Sequence, residues 1–461
     1  MIKNSITVHI HNMYVELTPY THVLISENFG YIANQLSGKQ MSFDSDGALW
    51  LTFLKDQPAK IEQIIKDLST NYSNCQYSQL AKDYMEFLEN LEKDGFVRLS
   101  SFEESLKSSI PSLKLHSEIP TITDITIEIT NLCNERCVHC YIPNKMKDHG
   151  KSMTVSNVKK LIDEFAEIHG KSITFTGGEV FLHSSFEEIL DYAQYKGLQI
   201  SIYSNLITLN SKHVHKLKEL NVAVIQTSLY GISEKIHDSI TRVKGSCLRT
   251  KQSIECLLEH DIPVRIACPV LCENRKEIVN VVKYAREKSI QIDVDFNITP
   301  RLDKSDDNLE HRMNINELEK CITDLMKYDK EYALQLLHRH KNIYDPNFNL
   351  VEHLNTPICP AGFHGLYVTP AGSVTTCPNL QGLSVDSISN HSLKDIWYDN
   401  SKLQSIRTTL EGSFPKCIRC VARDFCSRCF AMNYTETGSL TNPPKYACEM
   451  AFLFKKIFES N

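Results

Sequence analysis

Ten of the chain's sixteen cysteines crowd into two stretches, and this constrains the fold of the 461 residues more than any other feature. One group is Cys133, Cys137 and Cys140; the other is Cys359, Cys377, Cys417, Cys420, Cys426, Cys429 and Cys448. The opening residues, MIKNSITVHI, alternate polar and apolar and form no secretion-signal core, and no run of about 18 apolar residues follows. A soluble, cytoplasmic protein with reduced thiols is expected, so metal ligation explains the clustering better than disulfides. The remaining six cysteines (Cys75, Cys247, Cys256, Cys268, Cys272, Cys321) are dispersed and read as small buried apolar residues.

The length calls for two or three domains, and 42% hydrophobic residues suffice for a core. A net charge of -6 leaves no basic excess to reward a phosphate backbone, so neither nucleic acid nor a membrane is an expected partner. Residues 1–105 read as a small α+β module with strands near 13–17 and 22–25 and helices over 47–54, 60–72 and 78–93. Leu80, Tyr84, Phe87, Leu88 and Leu91 recur at three- and four-residue steps, and Asp94-Gly95 stops that helix before a strand at 96–99. A linker rich in Ser, Pro and Lys covers 106–120.

Residues 121–305 alternate strand and helix patterns, giving an α/β fold. Short, β-branched, largely apolar runs at 125–130, 172–176, 198–203, 223–228, 263–267 and 291–298 read as buried parallel strands. Amphipathic helices at 155–169, 186–195 and 211–220 lie between them. Six such units imply a parallel sheet, open or curled into a partial barrel, with functional residues at the carboxyl ends of the strands. Residues 306–356 read as a helical connector. In 357–461 the periodic pattern yields to Gly, Pro and Cys, which points to stabilisation by metal.

The segment Cys133-Asn-Glu-Arg-Cys137-Val-His-Cys140 directly follows the first barrel strand. Three thiolates on one loop can hold three irons of a cubane and leave the fourth open. Zinc usually takes a second CxxC knuckle nearby, and none is present. This loop resembles that of the radical S-adenosylmethionine (SAM) superfamily, and the resemblance extends over about 180 residues. It implies a partial (β/α)6 TIM-like barrel, and a SAM-bound cluster that yields a 5′-deoxyadenosyl radical. It assigns Cys133, Cys137, Cys140 and Glu179 to catalysis. Thr176-Gly177-Gly178-Glu179 matches the family's GGE motif, in which Gly177 and Gly178 let the backbone approach the ligand and Glu179 accepts from the SAM ammonium. Ser204 and Asn205 would hold the ribose, Ser228 ends strand four, Arg242 would meet the SAM carboxylate, and Tyr141 would flank the adenine. An ordinary surface arginine is the other reading of Arg242.

The C-terminal cysteines resemble the SPASM domain of peptide-modifying radical SAM enzymes. The spacing departs at Cys426-x2-Cys429, where the family has three intervening residues. By that resemblance Cys359, Cys377 and Cys429 would hold the nearer auxiliary cluster and Cys417, Cys420, Cys426 and Cys448 the farther one, three [4Fe-4S] clusters in all. The nearer one is then short of a ligand, which a local Asp, His364, water or a substrate cysteine could supply. Residues 1–105 resemble in size and position a winged-helix-like RiPP recognition element, whose exposed β edge can add a leader strand. The whole resembles sactipeptide and ranthipeptide maturases, which join a cysteine sulfur to a carbon of a ribosomally made precursor peptide, with a flavodoxin or ferredoxin as electron donor. Carbon–carbon crosslinking, a cluster-bearing electron carrier and a zinc-stabilised peptide binder remain as alternatives.

Overall fold

The computed structural model describes residues 13–18, 21–25, 30–34, 39–54, 58–72, 75–101, 121–337, 357–414, 416–417 and 420–460. The opening decapeptide, the expected linker at 106–120 and the end of the expected connector, 338–356, lie outside these residues. The chain divides into two compact units, one comprising residues to Thr121 together with Gly197–Gln199, the other the remainder.

In the first unit, β1 (Tyr14–Leu17), β2 (Thr21–Ile25), β3 (Gly30–Asn34), β4 (Gln40–Phe43), β5 (Ala59–Lys60) and β6 (Val97–Ser100) form two antiparallel sheets, ordered β5-β1-β6 and β2-β3-β4. Helices Ser45–Leu51, Ile61–Ser69 and Tyr77–Lys93 complete it. Asp44 caps the first of these by accepting from the Gly47 amide at 3.0 Å. Tyr77–Lys93 buries Leu80, Tyr84, Leu88 and Leu91 at the spacing the sequence carries, against Val15, Ile61, Ile65 and Phe96. Gly95 adopts φ +82° just beyond the helix, which lets the Phe96 amide bond back to the Leu91 carbonyl at 2.9 Å. Strands β3 and β4 were not expected: GYIAN and QMSF are short and mix apolar with polar residues, and pairing with each other and β2 makes them strands.

The second unit is built on a parallel sheet. Its first six strands are β7 (Asp124–Thr130), β8 (Ser172–Gly177), β9 (Gln199–Tyr203), β10 (Val224–Ser228), β11 (Val264–Pro269) and β12 (Gln291–Asp295), adjacent in chain order. These six are the expected ones, but they are not apolar throughout. Ile125, Ile127 and Ile129 are buried on one face of β7, while Thr126, Glu128 and Thr130 alternate with them on the other. The register places Thr126 beside Thr174 and Glu128 beside Thr176, so the inner face is polar. Farther round, the Arg265 Nε donates to Gln291 Oε1 at 3.2 Å on that face. The outer face carries the apolar load. Helix Val155–Glu167 buries Val158, Leu161, Ile162 and Phe165, each contributing about 2 kcal/mol.

The C-terminal cysteine-rich part is not separate from this sheet. β13 (Gly365–Val368) pairs in parallel with β7, Gly365 opposite Asp124 and Val368 opposite Ile127. β14 (Ser373–Thr375) and β15 (Asp386–Ser387) then extend the sheet antiparallel, giving nine strands among the described residues. The expected connector is helical where described, over Ile315–Tyr328 and Lys330–Leu337, the first closed by a capping box between Asn314 and Glu317.

Candidate active site and cluster-binding cysteines

The loop Cys133–Cys140 leaves the carboxyl end of β7 and is tied down from three sides. The Arg136 and Val138 amides donate to the Thr241 and Ile240 carbonyls, at 2.9 and 3.0 Å, at the end of helix Glu234–Thr241. Arg301 donates to the Cys140 and Val138 carbonyls at 2.6 and 3.1 Å and is itself paired with Asp307 at 2.9 Å. Asn308 holds the His139 carbonyl at 3.1 Å. A loop whose carbonyls are so occupied keeps its thiols in a fixed arrangement.

Burial raises the thiols of this loop. Cys133 is pushed up to about 12, and Cys137 stands well above the ordinary range. Glu135, inside the loop, is pushed up to about 7 by burial and accepts from the Cys137 Sγ at 3.2 Å. Lys147 is buried, and although burial alone would lower it, Cys140, Cys137 and Cys133 hold it above its ordinary value. Buried thiols of this kind become ligands when a metal supplies the compensating charge. Among the described residues no three Cys, His, Asp or Glu side chains converge tightly enough for a single metal ion. Three thiols on one braced loop, each free to take a separate iron, fit a cluster.

The GGE segment lies against this loop. A Cβ at Gly177 would stand 2.4 Å from the Thr130 carbonyl oxygen, and one at Gly178 2.3 Å from that of Leu132. The Gly178 and Glu179 amides donate to those same two carbonyls, each at 2.7 Å. Close approach is what the glycines are for, as expected, but the partner on which the structure shows it is the backbone leading into Cys133. Glu179 is fully buried, and both its oxygens accept from the protein: Oε1 from Ser204 Oγ at 2.7 Å and the Phe181 amide at 3.1 Å, Oε2 from the Asn205 amide at 2.8 Å. Glu179 thereby joins the ends of β8 and β9. Asn205 reaches back to Asn134 Oδ1 at 2.7 Å and approaches Cys133 Sγ at 4.0 Å.

The structure thus brings Cys133, Cys137, Cys140, Gly177, Gly178, Glu179, Ser204 and Asn205 together. Ser228 lies near Tyr230, whose hydroxyl donates to Cys137 Sγ at 3.8 Å. Arg242 is exposed, with φ +59° at the end of helix Glu234–Thr241, and its backbone conformation is its clearest structural feature. Tyr141 turns its hydroxyl to within 3.4 Å of that of Tyr367 on β13. Glu135, Lys147, Tyr230 and Arg301 were not singled out from the sequence; two lie within or just after the cysteine loop, but nothing in the sequence marks Tyr230 or Arg301.

The other seven cysteines fall into two sets. Cys377, pushed up to about 12 by burial, lies close enough to Cys429 and Cys359 to sense their charge. Cys417, pushed up to about 11 by burial, neighbours Cys426, Cys420 and Cys448 in the same way. Arg428 lies beside this second set and is fully buried; it pairs with Glu411 at 2.7 Å, which also binds Arg423 at 3.0 Å. His364 is exposed, its side chain near Asp124 at the amino end of β7.

Residues 127–285 match the Radical SAM superfamily, and residues 359–429 match SPASM, an iron–sulfur cluster-binding domain. The antilisterial bacteriocin subtilosin biosynthesis protein AlbA of Bacillus subtilis is 25% identical over 262 residues, 57% of this chain and 56% of AlbA. The chain thus matches little more than half the length of that relative. The AdoMet-dependent heme synthase of Methanosarcina barkeri is 26% identical over 340 residues, 70% of this chain and 95% of the synthase. Streptococcus suis SuiB bound to S-adenosylmethionine shares the fold, with TM-score 0.64 at 13% identity over 94% of this chain and 99% of SuiB. The chain therefore carries a radical SAM domain followed by a SPASM iron–sulfur cluster-binding domain.

Proposed function

We propose that this chain is a radical SAM enzyme that modifies a ribosomally made precursor peptide by joining a cysteine sulfur to a carbon of an acceptor residue. The observation that carries the reading is the separation of ten cysteines into sets of three, three and four, the first on a braced loop at the carboxyl end of β7. The similarity to AlbA, a bacteriocin biosynthesis protein, and the likeness to SuiB, also solved bound to its precursor peptide SuiA, support peptide as the substrate.

In this reading Cys133, Cys137 and Cys140 bind the SAM-reactive cluster, Cys359, Cys377 and Cys429 a nearer auxiliary cluster, and Cys417, Cys420, Cys426 and Cys448 a farther one. With cluster and SAM bound, the first site would supply the radical chemistry that removes a hydrogen atom from the acceptor carbon. Gly177, Gly178 and Glu179 fix the root of the cysteine loop, and Ser204, Asn205, Ser228, Tyr141 and Arg242 are the candidate SAM contacts. The polar inner face of the barrel takes the peptide. Residues 1–105 hold its leader on an outer strand of β2-β3-β4 by main-chain hydrogen bonds, and a flavodoxin or ferredoxin supplies electrons.

Anaerobically reconstituted protein should contain about twelve irons with matching sulfide. Incubated with SAM, reductant and a cysteine-containing precursor peptide, it should yield a peptide two hydrogens lighter with one or two fewer thiols open to alkylation, one fewer marking a single thioether. A lighter peptide with every thiol still free would move the reading to carbon–carbon crosslinking. Zinc without iron would sink it.

A further inference from the structure

We infer that Glu128 is the proton acceptor for the substrate cysteine in the bond-forming step, an assignment that rests on the thioether reading above. Glu128 sits on the inner, polar face of β7 and is 1% exposed. Its Oε2 accepts from the Tyr367 hydroxyl at 2.8 Å and from Gln381 Nε2 at 3.2 Å. Its Oε1 is buried and has no hydrogen-bond partner among the described residues. An unmet buried acceptor costs about 1–3 kcal/mol, and more when charged. A carboxylate that served only to staple β13 to β7 would need just the oxygen that Tyr367 and Gln381 already hold.

Its position suits the chemistry. Tyr141 follows Cys140 directly, its hydroxyl meets that of Tyr367, and its ring is close enough to Cys140 and Cys377 to sense both. Tyr141 senses Glu128 as well, so this one side chain neighbours the carboxyl, Cys140 and Cys377 alike. The titratable groups facing it are Tyr367 and Tyr141, with the two thiols beyond. Burial pushes its carboxyl up to about 7 against the lowering effect of the Tyr367 and Gln381 hydrogen bonds, which leaves it able to exchange a proton at neutral pH.

The acceptor C–H bond gives its hydrogen atom to the deoxyadenosyl radical. The cysteine S–H bond gives its proton to Glu128 Oε1, the S–C bond forms, and the surplus electron passes to an iron–sulfur centre.

The test compares full-length wild type, E128Q and Y367F. E128Q should keep its iron, its thermal midpoint and 5′-deoxyadenosine formation with the probe peptide. Thioether product should fall about 10²- to 10⁴-fold. Wild-type product formation should rise as Glu128 ionises through about pH 7, and the residual rate of E128Q should not. Infrared difference spectra of unreduced protein should show carboxylic-acid absorbance that titrates near neutral pH in wild type, and E128Q should lose the Glu128 share of it while keeping that of Glu135. Wild-type crosslinking by E128Q overturns the assignment, and so does a loss in Y367F, which keeps the carboxylate, as deep as that in E128Q. A wild-type product with every thiol free refutes the thioether reading itself, and this assignment with it.

Discussion

Replacing Gly178 by Ala would set a Cβ 2.3 Å from the Leu132 carbonyl oxygen and 2.6 Å from that of Asn131. Contacts under 3.0 Å do not persist, so residues 131–132 must withdraw by about 0.7 Å. The neighbour is backbone and cannot swing aside as a side chain would. The Leu132 carbonyl also accepts from the Glu179 amide at 2.7 Å, so its retreat stretches a second contact, and Leu132 immediately precedes Cys133. Overpacking of this kind costs about 1–3 kcal/mol, which lowers the unfolding midpoint by about 2–4 °C per kcal/mol. A shift approaching 1 Å in the loop that positions the reaction should slow 5′-deoxyadenosine formation about 10²-fold. Calorimetry and chromatographic measurement of 5′-deoxyadenosine check the two effects separately. Gly382→Ala is the control for stability, since its Cβ would meet nothing closer than Tyr434 Cε1 at 3.6 Å. It should stay within about 0.5 kcal/mol of wild type. A G178A protein with the wild-type midpoint and wild-type SAM cleavage would refute the idea that this glycine exists for contact with the cysteine loop.

Replacing Cys133, Cys137 and Cys140 together by Ala should abolish 5′-deoxyadenosine formation while about two-thirds of the iron remains, because the other cysteines form separate sets; retained SAM cleavage contradicts the assignment. Deleting residues 1–105 should leave peptide-independent SAM cleavage largely intact and remove modification of a leader-bearing peptide, so full turnover by the truncated chain would show that this unit does not hold the leader. Glu411→Gln should cost about 3–5 kcal/mol in denaturant titration and loosen iron bound near Cys417 and Cys426, because Arg423 and Arg428 lose their buried carboxylate. Unchanged stability and iron content would show that neither arginine depends on it.

The six barrel strands were legible because β-branched runs alternate with amphipathic helices, a pattern that local sequence carries in full. The first unit's three helices were legible for the same reason. What escaped was set by pairing across long separations. GLYV at 365–368 becomes a strand only by lying beside Asp124–Ile127, and four residues amid Gly, Pro and Cys carry no periodicity to announce it. The polar inner face escaped as well, since Thr126 and Glu128 interrupt an apolar pattern whose meaning depends on which side faces the barrel. The clustered cysteines were conspicuous through spacing alone. Their braces, Arg301 and Asn308, stand more than 160 residues away and resemble any surface Arg and Asn.

The parallel pairing of β7 with β13 carries a consequence for biosynthesis. The hydrogen bond from Thr123 Oγ1 to the His364 carbonyl at the foot of these strands spans 241 residues. At about 5–20 residues per second, a ribosome needs roughly 10–50 s to supply the partner. For that interval β7, the strand that leads into the first cysteine loop, emerges with one row of backbone donors and acceptors unpaired. The nascent chain must be shielded from edge-to-edge association while the iron-binding loop beside it is still open to cluster delivery. Vectorial synthesis thus orders assembly, with this edge of the sheet covered last by the segment that carries the seven C-terminal cysteines.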